Sequence, residues 1–265
     1  MEFTPIYTGI FDSHAHYDSK RFDEDRHQLL ESLPGLGVCG VLDVGCDFPS
    51  SQAAVELAAR YPHVYASVGY HPHEADSYTE EDMEKLLKLF ESPKVRAIGE
   101  IGLDYHYDFS PREVQRQVFI RQLELAAERN LPVIIHSREA TAETLEILGR
   151  FPGLQGVVHC FSGSAETAAQ LVKMGWHIGF TGVITFQNAR RILEACPVVP
   201  ADRILLETDC PYMTPVPFRR ERCWSPFIGL TAQKMAEIRG EDPQVLIDQA
   251  RKNTCRLFGI PDPLA

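Results

Sequence analysis

The chain has 265 residues, 37 acidic and 26 basic, for a net charge of −11 at pH 7. With 44% apolar and 24% charged residues it has a globular composition, which excludes a largely disordered chain. The negative balance excludes a protein that coats nucleic acid through bulk charge, though not one that grips a few phosphates at one site.

No stretch approaches the roughly 20 apolar residues needed to span a bilayer. The N-terminal run MEFTPIYTGIFDSH has no basic residue before Lys20 and no long apolar core, so no signal peptide is expected. Seven dispersed cysteines without a CxxC pair fit a reduced, cytoplasmic protein better than a disulfide framework or a zinc site on sulfur. Nothing implies a membrane or an obligate protein partner.

Strand patterns fall at 7–12, 38–44, 64–69, 95–101, 132–135, 156–158, 177–181 and 203–207. Runs such as VIIH and RILLE are nearly continuous in apolar residues, as in parallel strands buried on both faces. Helical patterns lie between them. Thr79 precedes an acidic first turn, favourable against the helix dipole. Ser110-Pro111-Arg112-Glu113 reads as N-cap, N1 proline and capping-box glutamate, followed by a face of Val114, Val118, Leu123 and Ala126. Ser164 caps a helix with Leu171 and Val172 inward and Gly175 at its end. Asp242-Pro243 opens a last helix to about residue 258, with Val245, Leu246 and Ala250 available for packing.

Eight strand–helix units in this length predict an α/β fold, a single (β/α)8 TIM barrel spanning 1–265. An open doubly wound sheet normally needs fewer strands. The proline-rich loop over 211–226 is long enough to suggest a functional role.

In such a barrel the chemistry sits at the C-terminal ends of the strands. The ionisable residues there are His14 and His16 after strand one, His71 and His73 after strand three, and Glu100 at the end of strand four. His136, His159 and Asp209 follow strands five, six and eight. The i, i+2 spacing of His14 and His16 puts both rings on one face of an extended chain, within reach of one ion. The set His14, His16, Glu100, His136, His159 and Asp209 suits about two divalent ions sharing a bridging carboxylate. His27, His63, His106 and His177 lack such neighbours and read as surface or packing residues, and His73 reads as a loop residue capping the next segment. Glu207 is either half of a buried ion pair or a support for the metal cluster, while Cys160 and Cys210 read as packing residues.

The runs DSHAHYD (12–18), VGYHPHE (68–74), AIGEIGLDY (97–105), PVIIHSREA (132–140), GVVHCFSGS (156–164), GFTGVITFQNA (179–189) and LLETDCPYMTPVP (205–217) resemble the successive motifs of the TatD family of metal-dependent hydrolases, in the amidohydrolase superfamily. The resemblance implies a TIM barrel, a divalent-metal site and a hydrolase, with deoxyribonuclease activity in several members. It implies His14, His16, Glu100 and Asp209 as ligands of one ion, and Glu100, His136 and His159 as ligands of a second. Asp209 is also placed to take a proton from water, and His71 to donate to a phosphate or support the ligands. Imidazole ligands favour zinc or manganese, whereas family nucleases are described as magnesium-dependent, so the metal stays open.

After PVP the chain departs from the family pattern: Cys223, Trp224 and Ser225 stand where Asn-Glu is expected. Arg219, Arg220 and Arg222 in this segment form a candidate phosphate clamp for DNA, and Trp224 a candidate base-stacking residue. A hydrolase of small esters, lactones or phosphotriesters on the same metal site is the alternative. A non-catalytic binding protein is disfavoured because all six ligands are present.

Overall fold

The structure, a computed structural model, describes residues 6–265, so the first five residues of the stretch read for a leader lie outside it. Eight strands form one parallel sheet in sequential order: β1 (Ile10–Ala15), β2 (Val38–Val44), β3 (Val64–Val68), β4 (Val95–Asp104), β5 (Val133–Arg138), β6 (Gly156–Val158), β7 (His177–Phe180) and β8 (Ile204–Leu206). The sheet closes beyond β8, where Ala15 pairs with Cys210. There the His16 N–H donates to the Cys210 carbonyl at 2.8 Å and the Asp209 N–H to the His14 carbonyl at 2.9 Å. This is the expected TIM barrel.

The outer ring is α1 (Arg26–Ser32), α2 (Phe48–Arg60), α3 (Glu80–Leu89), α4 (Arg112–Arg129), α5 (Thr141–Gly149), α6 (Ala165–Lys173), α7 (Arg190–Ala195), α8 (Ile228–Arg239) and α9 (Pro243–Leu257). One apolar cluster gathers Phe11, Leu42, Val44, Ala97, Ile134, Val157 and Leu205 from six of the strands. It also takes in Leu257, Phe258 and Ile260, so the end of the chain stoppers the barrel opposite the functional mouth. The larger cluster fills the space between strands and helices.

Strands β3, β7 and β8 are one or two residues shorter than expected, and three others shift or extend by three residues. β1 starts three residues later and runs through Asp12, Ser13 and His14; β4 and β5 each run three residues further. Those extensions interleave polar residues with few apolar ones, so hydrophobicity marks them poorly. They remain strand because the barrel satisfies them internally: Asp12 accepts from the Thr208 hydroxyl at 2.6 Å, and Ser13 donates to the Leu206 carbonyl at 3.1 Å.

Thr79, Ser164 and Asp242 cap their helices as read from the sequence. Ser110 does not cap α4. Its hydroxyl is buried and drawn off by the preceding loop, donating to the His73 carbonyl and accepting from the Asp76 N–H, so Pro111 takes the N-cap position. Val245 does not pack either; it is 63% exposed, because α9 turns Leu246 and Ala250 inward instead. No helix among the described residues is long and apolar enough to cross a membrane. All seven cysteines are free thiols.

Candidate metal centre

The mouth of the barrel brings the six expected residues together around Glu100. The two carboxylate oxygens of Glu100 face different groups. Oε2 lies 3.3 Å from His14 Nε2 and 3.8 Å from His16 Nε2, and Asp209 Oδ1 approaches the same two nitrogens at 3.8 and 3.4 Å. Oε1 lies 2.6 Å from His159 Nε2, 2.8 Å from His136 Nδ1 and 3.5 Å from His71 Nε2. One carboxylate therefore stands between two sets of ligand atoms.

The outer partners fix which ring nitrogens face inward. His16 Nδ1 meets the Val44 carbonyl at 2.8 Å; a carbonyl only accepts, so that nitrogen carries the proton and Nε2 keeps its lone pair. His136 Nε2 likewise donates to Asp104 Oδ2 at 3.0 Å, leaving Nδ1 free toward Glu100. His71 is opposite in sense. Its Nδ1 accepts the His73 N–H at 3.1 Å, so in the neutral ring Nε2 bears the hydrogen and acts as a donor. That arrangement suits the donor role expected for His71.

The centre is buried and polar. Burial alone would raise the Glu100 carboxyl, but the imidazoles of His159, His71 and His14 outweigh it and hold it well below the usual carboxylate range. Asp209 behaves the same way: burial raises it, while His16 and His14 bring it below its ordinary value. Burial pushes the His71 imidazole down to about 4, so it is neutral near pH 7. His14 Nε2 and His16 Nε2 face each other at 3.1 Å, and buried lone pairs at that separation repel unless a cation or proton lies between them. Imidazole nitrogens and carboxylate oxygens on both sides of Glu100 are the donor set that divalent ions take.

Three residues in or around this cluster were missed. Asp104 accepts from both His136 and His73, the latter at 2.9 Å, so His73 is part of the site rather than a simple loop cap. Asp104 lies in the GLDY run just beyond the strand end expected from hydrophobicity. Burial opposes ionisation of Asp104, but its hydrogen bond from His136 and the Tyr107 N–H keep the carboxyl below its ordinary range. Cys46 Sγ stands 4.0 Å from both His16 Nδ1 and Glu100 Oε2. It follows β2 by two residues, where the strand-end rule, applied to thiols as well as charges, would have found it. Arg191 of α7 lines the cleft without a sequence signal.

Glu207 sits behind the cluster: it accepts from the Cys160 N–H, and its Oε1 approaches His159 Nδ1 at 3.6 Å, which is the supporting role. Cys210 packs in the core, whereas Cys160 lines the cleft.

Above the cluster opens a cleft of about 1000 Å³, walled by His71, His73, Tyr107, Phe109, Arg138, Arg191 and Tyr212 among others. Arg219, Arg220 and Arg222 are not among the residues that line it. Arg222 is held by Asp25, the Arg21 carbonyl and the face of Phe22, and Arg219 stacks on Phe186 at 3.6 Å while donating to the Thr214 carbonyl. Two of the three guanidiniums of the clamp read from the sequence are thus engaged by the loop and the 21–25 segment, and Arg220 is exposed outside the cleft lining. The departing stretch 223–225 is also turned away from the cleft. Cys223 is buried, Ser225 meets the Tyr17 hydroxyl at 2.9 Å, and Trp224 stands edge-on to Phe227.

A closed barrel with histidines and carboxylates converging at its mouth defines a metal-dependent hydrolase of the TIM-barrel type. The family model described as TatD related DNase matches residues 11–259, and the chain belongs to the TatD family. It is 40% identical over 253 residues to the metal-dependent hydrolase YabD of Bacillus subtilis, covering 95% of this chain and 99% of that protein. It is also 40% identical over 263 residues to the 3′-5′ ssDNA/RNA exonuclease TatD of Erwinia billingiae, covering 95% of this chain and 100% of that protein. The crystal structure of YJJV, a TatD homolog from Escherichia coli, superposes with a TM-score of 0.89 at 31% identity, covering 96% of this chain and 99% of that one.

Proposed function

We propose that the chain is a cytoplasmic nuclease that hydrolyses phosphodiester bonds in single-stranded DNA, with about two divalent ions divided between the faces of Glu100. The observation that carries this reading is the division of the Glu100 oxygens between the His14–His16–Asp209 side and the His136–His159 side, at the floor of a large cleft. Bound there, divalent ions supply Lewis acidity toward a phosphoryl oxygen and toward water. Zinc, manganese and magnesium are the candidates.

The chain's own groups supply the rest. Glu100 holds the two ligand sets at a fixed separation. Asp209, ionised and at the edge of the cleft, accepts the proton of the attacking water. The His71 Nε2–H donates to the phosphate. Arg138 and Arg191 give the flanking phosphates cationic partners that the acidic exterior lacks. Glu100 is only 3% exposed, so a phosphate has to be lowered into the cleft, which a free strand does without the cost of unpairing a duplex. The relative named an ssDNA/RNA exonuclease supports the same substrate class.

The test is metal analysis coupled to turnover of a single-stranded oligonucleotide. The parent should bind about two ions and cut the strand, while Glu100→Gln should lose ions from both sides and fall by several orders of magnitude in rate. Loss of a single ion by Glu100→Gln would overturn the bridging role. Turnover of small esters by the parent without any cleavage of DNA would replace the nuclease reading with the small-molecule one.

A further inference from the structure

Tyr107 and Phe109 are large aromatic residues left open to solvent, 47% and 68% exposed, and both line the cleft. Isolated exposed aromatics need no explanation, but these two are organised. Their rings lie stacked, 5.3 Å apart and 26° from parallel. The His73 ring meets both edge-on, at 5.4 Å from Tyr107 and 4.8 Å from Phe109. The Arg138 guanidinium lies 4.8 Å over Tyr107.

The mounting ties this pair to the catalytic centre. Asp104 Oδ2 accepts from His136 and His73, while Asp104 Oδ1 accepts the backbone N–H groups of His106 and Tyr107 at 3.0 and 2.9 Å. One buried carboxylate therefore orients a ligand histidine and fixes the turn that carries the aromatic pair. Two stacked rings with a cation beside them, held on the same buried carboxylate as a histidine of the centre, offer the two kinds of contact a nucleotide needs: a flat face for its base and a positive charge for its phosphate.

We propose that Tyr107 and Phe109 form a stacking shelf for a nucleobase next to the scissile phosphate, with Arg138 placed for the phosphate of that nucleotide. This rests on the nuclease reading and deepens it. A base is free to stack on such a shelf only when it is unpaired, so the shelf favours single strands and tolerates any of the four bases, since each presents a π-face. It needs no hydrogen-bonding code.

The experiment compares two single-stranded oligonucleotides, one natural and one carrying abasic residues at the positions being cleaved. Both binding, by fluorescence anisotropy, and metal-loaded turnover are measured for the parent, Tyr107→Ala/Phe109→Ala and Tyr107→Phe. Both aromatic side chains are substantially exposed, so the double variant should fold, and circular dichroism checks this. The parent should prefer the natural strand by about fivefold to a hundredfold, mostly in KM, as expected for loss of base–aromatic stacking. The double variant should lose that preference while keeping its metal content, and Tyr107→Phe, which retains the ring, should keep it. A parent that binds and cuts both strands equally, or a double variant that retains the preference, overturns the shelf and leaves the nuclease reading standing. A parent that neither binds nor cuts either strand overturns both.

Discussion

Asp104 makes the supporting residues of this centre as informative as the ligands. Its two oxygens hold His136, His73 and the 106–107 turn, and its own N–H donates to Gln115 at 2.9 Å. Groups that orient a metal-binding histidine typically alter affinity or rate 10- to 100-fold, roughly, when removed. Asp104→Ala should therefore weaken ion binding by about that factor while leaving Glu100 and its other neighbours in place. Asp104→Asn keeps an acceptor for His136 and should fall between the two. Titration of each variant with zinc or manganese measures the difference; equal affinities would remove Asp104 from the supporting role. At this scale the sequence was legible for the six ligand candidates, because each lies at or near a strand end. It was not legible for Asp104 or Cys46, because Asp104 lies beyond the apolar run that marks its strand and a neutral thiol gives no charge signal.

Strand β4 carries Glu100 and Asp104 on a segment pressed closely against β5. Gly102 between them has φ +146, and a Cβ there would fall 1.9 Å from the His136 carbonyl oxygen. Gly102→Ala should push β4 away from β5 and separate Glu100 and Asp104 from His136 together. Overpacking of this kind costs about 1–3 kcal/mol or more, and at this position metal content should fall alongside stability. Urea unfolding and metal analysis of the same variant test both parts.

Strand β7 starts with His177, buried at the end of the barrel remote from the cleft. Burial, then the charge of Arg203, push its imidazole down to about 4. A depressed histidine is neutral in the folded state and takes up a proton more readily when unfolded. Its stabilising contribution is thus complete above the unfolded value near 6.5 and is lost as pH falls toward the folded value of about 4. This corresponds to about 2 kcal/mol lost between pH 7.5 and 5. His177→Leu should flatten that part of the stability profile, and an unchanged acid dependence would exclude His177 as its source. The element order, most strand cores and three helix caps were readable from the sequence. The polar strand extensions were not, because their partners come from elsewhere around the barrel.

Across the whole molecule, charge is distributed against the expectation that arginines near each other in sequence act together. Arg219 and Arg222 are engaged by the loop and the 21–25 segment, while Arg138 and Arg191, distant in sequence from each other, both line the cleft. Arg191→Ala should raise KM for single-stranded DNA and reduce the salt slope of binding by about 0.7, the share of one neutralised phosphate on a single strand. Arg222→Ala should leave that slope unchanged and loosen the loop instead. The reverse pattern would restore the clamp to the 219–222 segment. Sequence revealed that this acidic chain needs a local cationic grip, but only folding reveals which arginines can supply it.

The seam of the barrel also governs when the centre can come into existence. His14 and His16 are made early in synthesis, yet their side of Glu100 is completed by Asp209, and the hydrogen bond between Asp12 and Thr208 beside them spans 196 residues. Closing so long a loop carries a large entropic cost before any return. A nascent chain that has not yet emerged through β8 has the histidines without Asp209 opposite them, and so lacks the full donor set on that side of Glu100. The donor set on that side is thus a sign that the ring has closed: a fragment ending before β8 offers the imidazoles without the closing carboxylate, and the set is assembled once Asp209 has joined β1.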